Sequence, residues 1–206
     1  MTTQLTSSAS VGRSSVLADH LGADSFVKDA LMVLAGASLV GVLAQVSVPM
    51  WPVPITGQTL GVLLVGAILG ARRGALSLLS YMLLGLAGMP WFSAASGGLV
   101  ALAKPSFGYI LGFIPAAWLI GKLSERAWDR HFWLSLAAFG GATLIPFIVG
   151  IPYMWTVLRI GGVSMSITEA LNAGFTPFII GGIVKAAAGA AVVGGMFLWM
   201  RRRRKD

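Results

Sequence analysis

The chain has no cysteine, and its 206 residues include only two histidines and seven acidic side chains. Without cysteine it forms no disulfide, iron–sulfur cluster or thiolate–metal site. The two histidines, His20 and His131, are far apart in the sequence, so we predict neither a metal centre nor a cofactor. Charged residues make up 11% of the chain, against roughly a quarter in a soluble domain. This composition excludes an ordinary soluble fold.

Motifs for nucleotide hydrolysis and for covalent catalysis are also missing. The sequence has no G-x-x-x-x-G-K-[ST] phosphate loop, no G-x-S-x-G nucleophile turn and no H-E-x-x-H zinc motif. We therefore predict that the chain is not an enzyme. The chain is also predicted not to hydrolyse nucleotide itself.

Apolar segments fill most of the chain, which is 56% hydrophobic with a mean hydropathy of +0.83. A membrane-spanning helix needs ~20 apolar residues, and two of the segments fall short of that length. They are expected to lie partly sheltered inside a bundle. The fold class that follows is an all-α integral membrane protein, a six-transmembrane-helix bundle. The predicted spans cover residues 26–48, 58–71, 74–89, 105–123, 132–158 and 175–200.

The basic residues behind the net charge of +8 are unevenly distributed. With six spans, one side of the membrane receives nearly all of them, and the opposite side receives only Lys104 and Arg159. Because positive charge marks the inner side, both termini are predicted to be cytoplasmic. The sequence then divides into a disordered tail (1–25), a membrane domain (26–200) and a basic tail (201–206). The basic tail favours contact with membrane lipid over nucleic acid.

The stretch Val48-Pro-Met-Trp-Pro-Val-Pro-Ile-Thr-Gly-Gln-Thr59 connects the first two spans and carries no charge. Proline fixes φ and donates no backbone hydrogen bond, so the stretch is predicted to be stiff and extended, and not a helix or a central strand. It is either a rigid connector or a binding lid. The predicted topology places it outside, together with the connections 90–104 and 159–174.

Other polar and aromatic groups gather on the predicted outer side. Gly97 and Gly98 allow close backbone approach, and Ser106 and Tyr109 offer hydroxyl groups. Glycine-rich turns at a helix start would explain the same residues. Four aromatic residues fit an aromatic belt at the membrane interface as well as a ligand cage, namely Trp51, Trp91, Phe92 and Tyr109.

A short helix is expected just before the last span. Ser166 with Glu169 three residues later matches a capping box, and Gly174 is a plausible stop. We predict that this helix lies on the surface and does not span.

Lys185 lies inside the last predicted span, roughly 13–15 Å below its outer end. An ionisable side chain within a span is costly, and it is therefore a functional candidate. Snorkelling to the interface or pairing with a structural carboxylate are the alternatives. A partly buried ammonium that faces outward suits an anionic or strongly polar ligand.

The first predicted span carries the small residues Ala37, Gly41 and Ala44 about one turn apart. Such a stripe lets another helix approach closely. It serves either an internal contact or a partner protein.

Two motifs together are specific for one family. The first extends from Val48 to Leu60, and the second is Tyr81-Met-Leu-Leu-Gly-Leu-Ala-Gly-Met-Pro90. They resemble the BioY family, the biotin-binding S components of energy-coupling factor transporters. The resemblance continues through Gly108-Tyr-Ile-Leu-Gly-Phe113 and Glu169-Ala-Leu-Asn-Ala-Gly-Phe-Thr-Pro-Phe178, and covers nearly all of the chain after residue 25.

The resemblance implies a substrate-capture subunit of the bacterial plasma membrane that binds biotin near the outer face. Its partners would be a transmembrane coupling subunit and two ATPase subunits, and the first loop would act as a lid. The implied partner surface is the stripe of Ala37, Gly41 and Ala44. The candidate ligand-binding residues are Trp51, Val53, Thr56, Gln58, Gly97, Gly98, Ser106, Tyr109 and Lys185.

Two positions depart from the family pattern. Gly182 stands where the family usually has Asp, three residues before the lysine. Phe107 stands where the family usually has glycine. The ligand is therefore expected to be biotin or a close analogue, such as a precursor. The alternatives are an S component for another small carboxylate and a membrane scaffold whose loops bind protein.

Overall fold

The computed structural model describes residues 16–21, 25–126 and 132–203 and is mostly helical. Within these ranges, five helical segments are long and apolar enough to cross a membrane, as expected of a multi-pass membrane protein. Short 3₁₀ turns and a two-stranded ladder lie between the helices. The helices are α1 (Phe26–Gln45), α2 (Gln58–Leu86), α3 (Phe107–Ser124), α4 (Phe132–Ile160), α5 (Ile167–Gly174) and α6 (Phe178–Arg203), and the strands are β1 (Ser47–Val48) and β2 (Ile55–Thr56).

Helix α2 reverses direction at Gly70, whose φ of 84° and ψ of 176° are not helical. Glycine adopts this conformation at no steric cost. Gln58 Nε2 lies 2.7 Å from Tyr81 Oη, whereas a straight helix would separate the two residues by about 34 Å. The segment therefore consists of two antiparallel arms, 58–69 and 71–86. The Glu125 carboxylate accepts a hydrogen bond from the backbone N–H of Ala71 at 3.0 Å and holds the turn.

Arg73 ties the turn of α2 to the N-terminal part of the chain. Its guanidinium lies 2.7 Å from Asp19 and 2.8 Å from Asp29. Asp19 belongs to a 3₁₀ turn, Leu17–Leu21, in a segment whose Val16, Leu17 and Ala18 are buried. The prediction of a disordered tail over 1–25 is therefore wrong for 16–21. The rest of that tail before Ser25, the connection 127–131 and residues 204–206 lie outside the described residues.

The small residues of α1 face the chain itself. Ala37, Gly41 and Ala44 are buried, and a Cβ atom on Gly41 would lie 3.1 Å from the Trp91 side chain. The close approach that these residues permit is thus used inside the molecule. The expectation that they form a partner surface is corrected, because the chain's own packing covers them. The opposite face of α1 exposes large apolar side chains, as a lipid-facing helix does.

The short helix α5 forms as the capping box predicted. The Ser166 hydroxyl accepts a hydrogen bond from the Glu169 N–H at 3.2 Å, and the Glu169 carboxylate accepts one from the Ser166 N–H at 2.7 Å. Gly174 ends the helix, and a Cβ atom there would press on Tyr109 Oη at 2.7 Å. The end of α5 therefore packs directly on the first turn of α3.

Candidate functional site

The proline-rich connection is a hairpin closed by two short strands. Ser47 pairs with Thr56 and Val48 with Ile55 in antiparallel register. The ladder stops there because Pro49 and Pro54, the next residues inward, have no backbone N–H to donate. Residues 49–54 thus form a loop of fixed shape, with a cis peptide between Trp51 and Pro52. We call residues 47–56 the gate hairpin.

Gln45, the last residue of α1, fixes the connection 90–104, which we call the second loop, beside the gate hairpin. Its Nε2 donates to the carbonyl oxygens of Trp91 at 3.1 Å and Phe92 at 3.2 Å, and its Oε1 accepts from the Ala95 N–H at 3.0 Å. One amide side chain therefore satisfies three backbone groups of a segment about 50 positions away. The two loops lie at the same end of the bundle as a result.

A buried polar relay runs from the gate hairpin into α2. Thr56 Oγ1 donates to Gln58 Oε1 at 2.7 Å, and Gln58 Nε2 donates to Tyr81 Oη at 2.7 Å. The Gln58 side chain is only 6% exposed. Because buried polar groups need partners, this relay restricts where Thr56 can lie. Gln58 positions the hairpin with its amide, which keeps one N–H and one oxygen lone pair for other partners.

Lys185 reaches the gate hairpin from α6. Its Nζ donates to the carbonyl oxygen of Thr56 at 2.6 Å. Lys185 itself lies two helical turns, or about 10 Å, along the axis from Phe178 at the start of α6. The partner is a loop carbonyl oxygen and not the structural carboxylate that one of the alternatives required. An ammonium has three donors, so two of them are left for a ligand.

These elements enclose a cavity of about 350 Å³ between the gate hairpin, the second loop, α3, α4 and α6. Within the described part of the chain, no acidic side chain lines it. Its polar groups are hydroxyls, an amide and two ammonium groups, a set that favours an anionic ligand rich in hydrogen-bond acceptors. The polar lining comprises Ser47, Thr56, Gln58, Thr59, Ser93, Ser96, Lys104, Ser106 and Lys185.

Aromatic side chains supply much of the apolar wall. Tyr109 presents its ring, because its hydroxyl is turned away and donates to the Gly174 carbonyl oxygen at 2.9 Å. Phe107 is buried between Phe92 and Tyr153, with ring centroids 6.4 and 6.0 Å away. Its bulk thus forms part of the wall of the cavity.

The structure brings together only part of the predicted set. Val53, Thr56, Gln58, Ser106, Tyr109 and Lys185 line the cavity, whereas Trp51, Gly97 and Gly98 do not. Trp51 lies at the tip of the gate hairpin and is 66% exposed. A Cβ atom on Gly97 would overlap the Met89 carbonyl, and the Gly98 N–H donates to the Gly85 carbonyl oxygen at 2.7 Å. Both glycines anchor the second loop to the end of α2.

Several lining residues were not predicted from the sequence. The sequence marked Lys104 only as one of the two basic residues on the side of the membrane with little positive charge. That position was the one feature that could have identified it. Phe147 and Phe178 carry no signal that separates them from other apolar residues, because only the packing of distant segments places them on one cavity.

Comparison with known proteins agrees with this architecture. The sequence model of the BioY family matches residues 8–202. The biotin transporter BioY of Rhizobium etli is 38% identical over 157 residues, which are 73% of this chain and 81% of that protein. The biotin transporter BioY of Thermotoga maritima is 33% identical over 155 residues, 75% of this chain and 87% of that protein.

A solved structure has a similar fold. It is the crystal structure of the S-component for biotin from an ECF-type ABC transporter, with a TM-score of 0.60 and 23% sequence identity. The match covers 89% of this chain and 96% of that one. At this identity the likeness concerns the arrangement of the helices.

Proposed function

Because the chain belongs to the BioY family, we propose that it is the substrate-capture subunit of an energy-coupling factor transporter and that it binds biotin. The observation that carries the proposal is the cavity under the gate hairpin, with hydroxyl donors, two lysines and no acidic side chain among its described lining residues. Such a cavity suits a small acid with a polar head and an apolar body. Biotin combines a carboxylate at the end of a methylene chain, a sulfur-containing ring and a fused cyclic ureido group.

Charge decides how the ligand is oriented. The biotin carboxylate binds the two free donors of Lys185, which lies deep in the cavity and already holds Thr56. Charge-assisted hydrogen bonds of this kind are roughly twice as strong as neutral ones. The aromatic side chains cover the apolar body, and the loop hydroxyls serve the ureido oxygen. Lys104 is exposed at the rim, where its charge attracts anions toward the opening.

Biotin binds at the outer end of the bundle and is released at the cytoplasmic end. The six spans are α1, the two arms of α2, α3, α4 and α6, with both termini in the cytoplasm and the gate hairpin outside, as the distribution of basic residues supports. Biotin enters from outside and the hairpin closes over it. Release into the cell requires a coupling subunit and two ATPase subunits, because the chain has no nucleotide-binding motif of its own. The protein resides in the cell membrane.

A ligand panel tests this assignment by thermal unfolding of the detergent-purified chain. Biotin is expected to raise the apparent Tm in proportion to the logarithm of its concentration, because a ligand that binds only the folded state stabilises it by mass action. Desthiobiotin and octanoate are the comparison ligands. Stronger stabilisation by either one would assign the cavity to another carboxylate. No shift with any of the three would favour a scaffold that binds protein.

A further inference from the structure

A second cavity lies directly behind the first. It is an apolar groove of about 320 Å³ between α4 and α6, bordered by exposed apolar side chains such as Leu144 and Ile183. Phe147 and Phe178 line both the groove and the ligand cavity. The two spaces are therefore separated by these two rings.

Phe147 and Phe178, which form the partition, face both spaces and contact a further ring on each side. Tyr109, which lines only the ligand cavity, stacks on Phe178 with centroids 6.1 Å apart. Phe178 contacts Phe147 at 5.6 Å, and Phe147 contacts Phe175, which lines only the groove, at 5.0 Å. The four rings form a layer from the ligand side to the groove side. Removing the Phe178 ring would join the two spaces.

One turn further along α6, Gly182 adds no side chain of its own to the partition. Gly182 lines the groove, and a Cβ atom there would meet only Thr143 Cγ2, at 3.6 Å. The space beyond Phe178 is thus open and apolar. Methylene groups that passed the ring would enter an environment that favours them.

We propose that Phe147 and Phe178 limit the length of the ligand side chain and so determine specificity among acids that share a head group. This proposal rests on the proposed function, with the carboxylate on Lys185. Phe178 and Lys185 are seven residues, or two turns, apart and so lie on the same face of α6. A ligand side chain that runs from a carboxylate on Lys185 toward the start of α6 therefore passes along the partition.

The test compares Phe178→Ala with Phe175→Ala, a matched control that removes a ring from the groove and leaves the partition intact. The ligands are biotin and a homologue whose side chain is two methylenes longer. The wild-type chain is expected to bind the homologue more weakly than biotin. Phe178→Ala should improve the homologue-to-biotin affinity ratio by roughly tenfold, since each buried methylene is worth about a factor of four. Phe175→Ala should leave the ratio unchanged.

Phe178→Leu, which keeps apolar contact with Tyr109, guards against misfolding and should give a smaller gain in the same direction. An unchanged ratio in a Phe178 variant that still binds biotin overturns the partition, as does an equal gain in Phe175→Ala. Failure of the wild-type chain to bind biotin would instead overturn the proposed function. The two failures are therefore distinguishable.

Discussion

Replacing Lys185 by methionine is expected to weaken biotin binding by roughly 10- to 150-fold, which corresponds to the 1.5–3 kcal/mol of a hydrogen bond to a charged group. Methionine keeps the apolar stem and removes the ammonium. The substitution leaves both the ligand carboxylate and the Thr56 carbonyl oxygen without their donor. Isothermal titration of detergent-purified protein measures the change in Kd.

Lys104→Met is the matched control, because it makes the same chemical change at the exposed rim of the same cavity. An exposed charge contributes little to affinity, so its Kd is expected to change by less than about fivefold. If the two substitutions weaken binding equally, Lys185 has no special place in the site.

Biotin methyl ester separates the two tasks of Lys185. If the ammonium binds the carboxylate, the wild-type chain prefers biotin to its uncharged ester and Lys185→Met loses that preference, which is a coupling that a double-mutant cycle detects. If Lys185 acts only by holding Thr56, the variant weakens both ligands by the same factor. Equal weakening would remove the lysine–carboxylate contact from the proposed binding mode.

Replacing Gly121 by valine is expected to cost roughly 3 kcal/mol of folding free energy, at the upper end of what overpacking costs. Gly121 of α3 lies against the turn of α2, and a Cβ atom there would overlap the backbone N of Ala71 and the carbonyl carbon of Gly70. Backbone atoms cannot move aside as a flexible side chain can. The substitution therefore forces α3 away from the turn that Glu125 holds.

An SDS titration of the purified protein measures this loss. Gly141→Val in α4 is the control, since it places the same β-branched side chain in a helix where a Cβ atom meets nothing within 4 Å. Valine is a slightly better helix former than glycine, so this variant is expected to lose no stability and to differ from the wild-type chain by less than about 1 kcal/mol. Equal losses in the two variants would show that close packing at the α2 turn is unimportant for stability.

The sequence predicted the helices well where hydropathy and local chemistry determine them. The capping box at Ser166 is a contact across three residues, and it forms as expected. The predicted spans 58–71 and 74–89 place the boundary inside α2 at residues 72–73. The chain in fact turns at Gly70, since the reversal depends on a backbone conformation that only glycine adopts easily.

The site was harder to predict because its contacts join distant segments. Lys185 was identified from its cost inside a span, but its partner Thr56 is 129 positions earlier. Gly97 was interpreted as a place where backbone approaches a ligand, whereas the close approach is to Met89. Tyr109 was chosen for its hydroxyl, which is bound to Gly174, and its ring faces the cavity. Residue type indicated that these positions matter, and only packing shows what each one contacts.

Equilibrium dialysis of labelled biotin against the purified chain, with no other subunit present, tests the central claim most directly. The cavity is complete within one chain, so we expect saturable binding of one biotin per chain at or below micromolar ligand, displaced by excess unlabelled biotin. Binding that appears only when a coupling subunit and ATPases are added, or no saturable binding at all, would contradict capture of biotin by this chain.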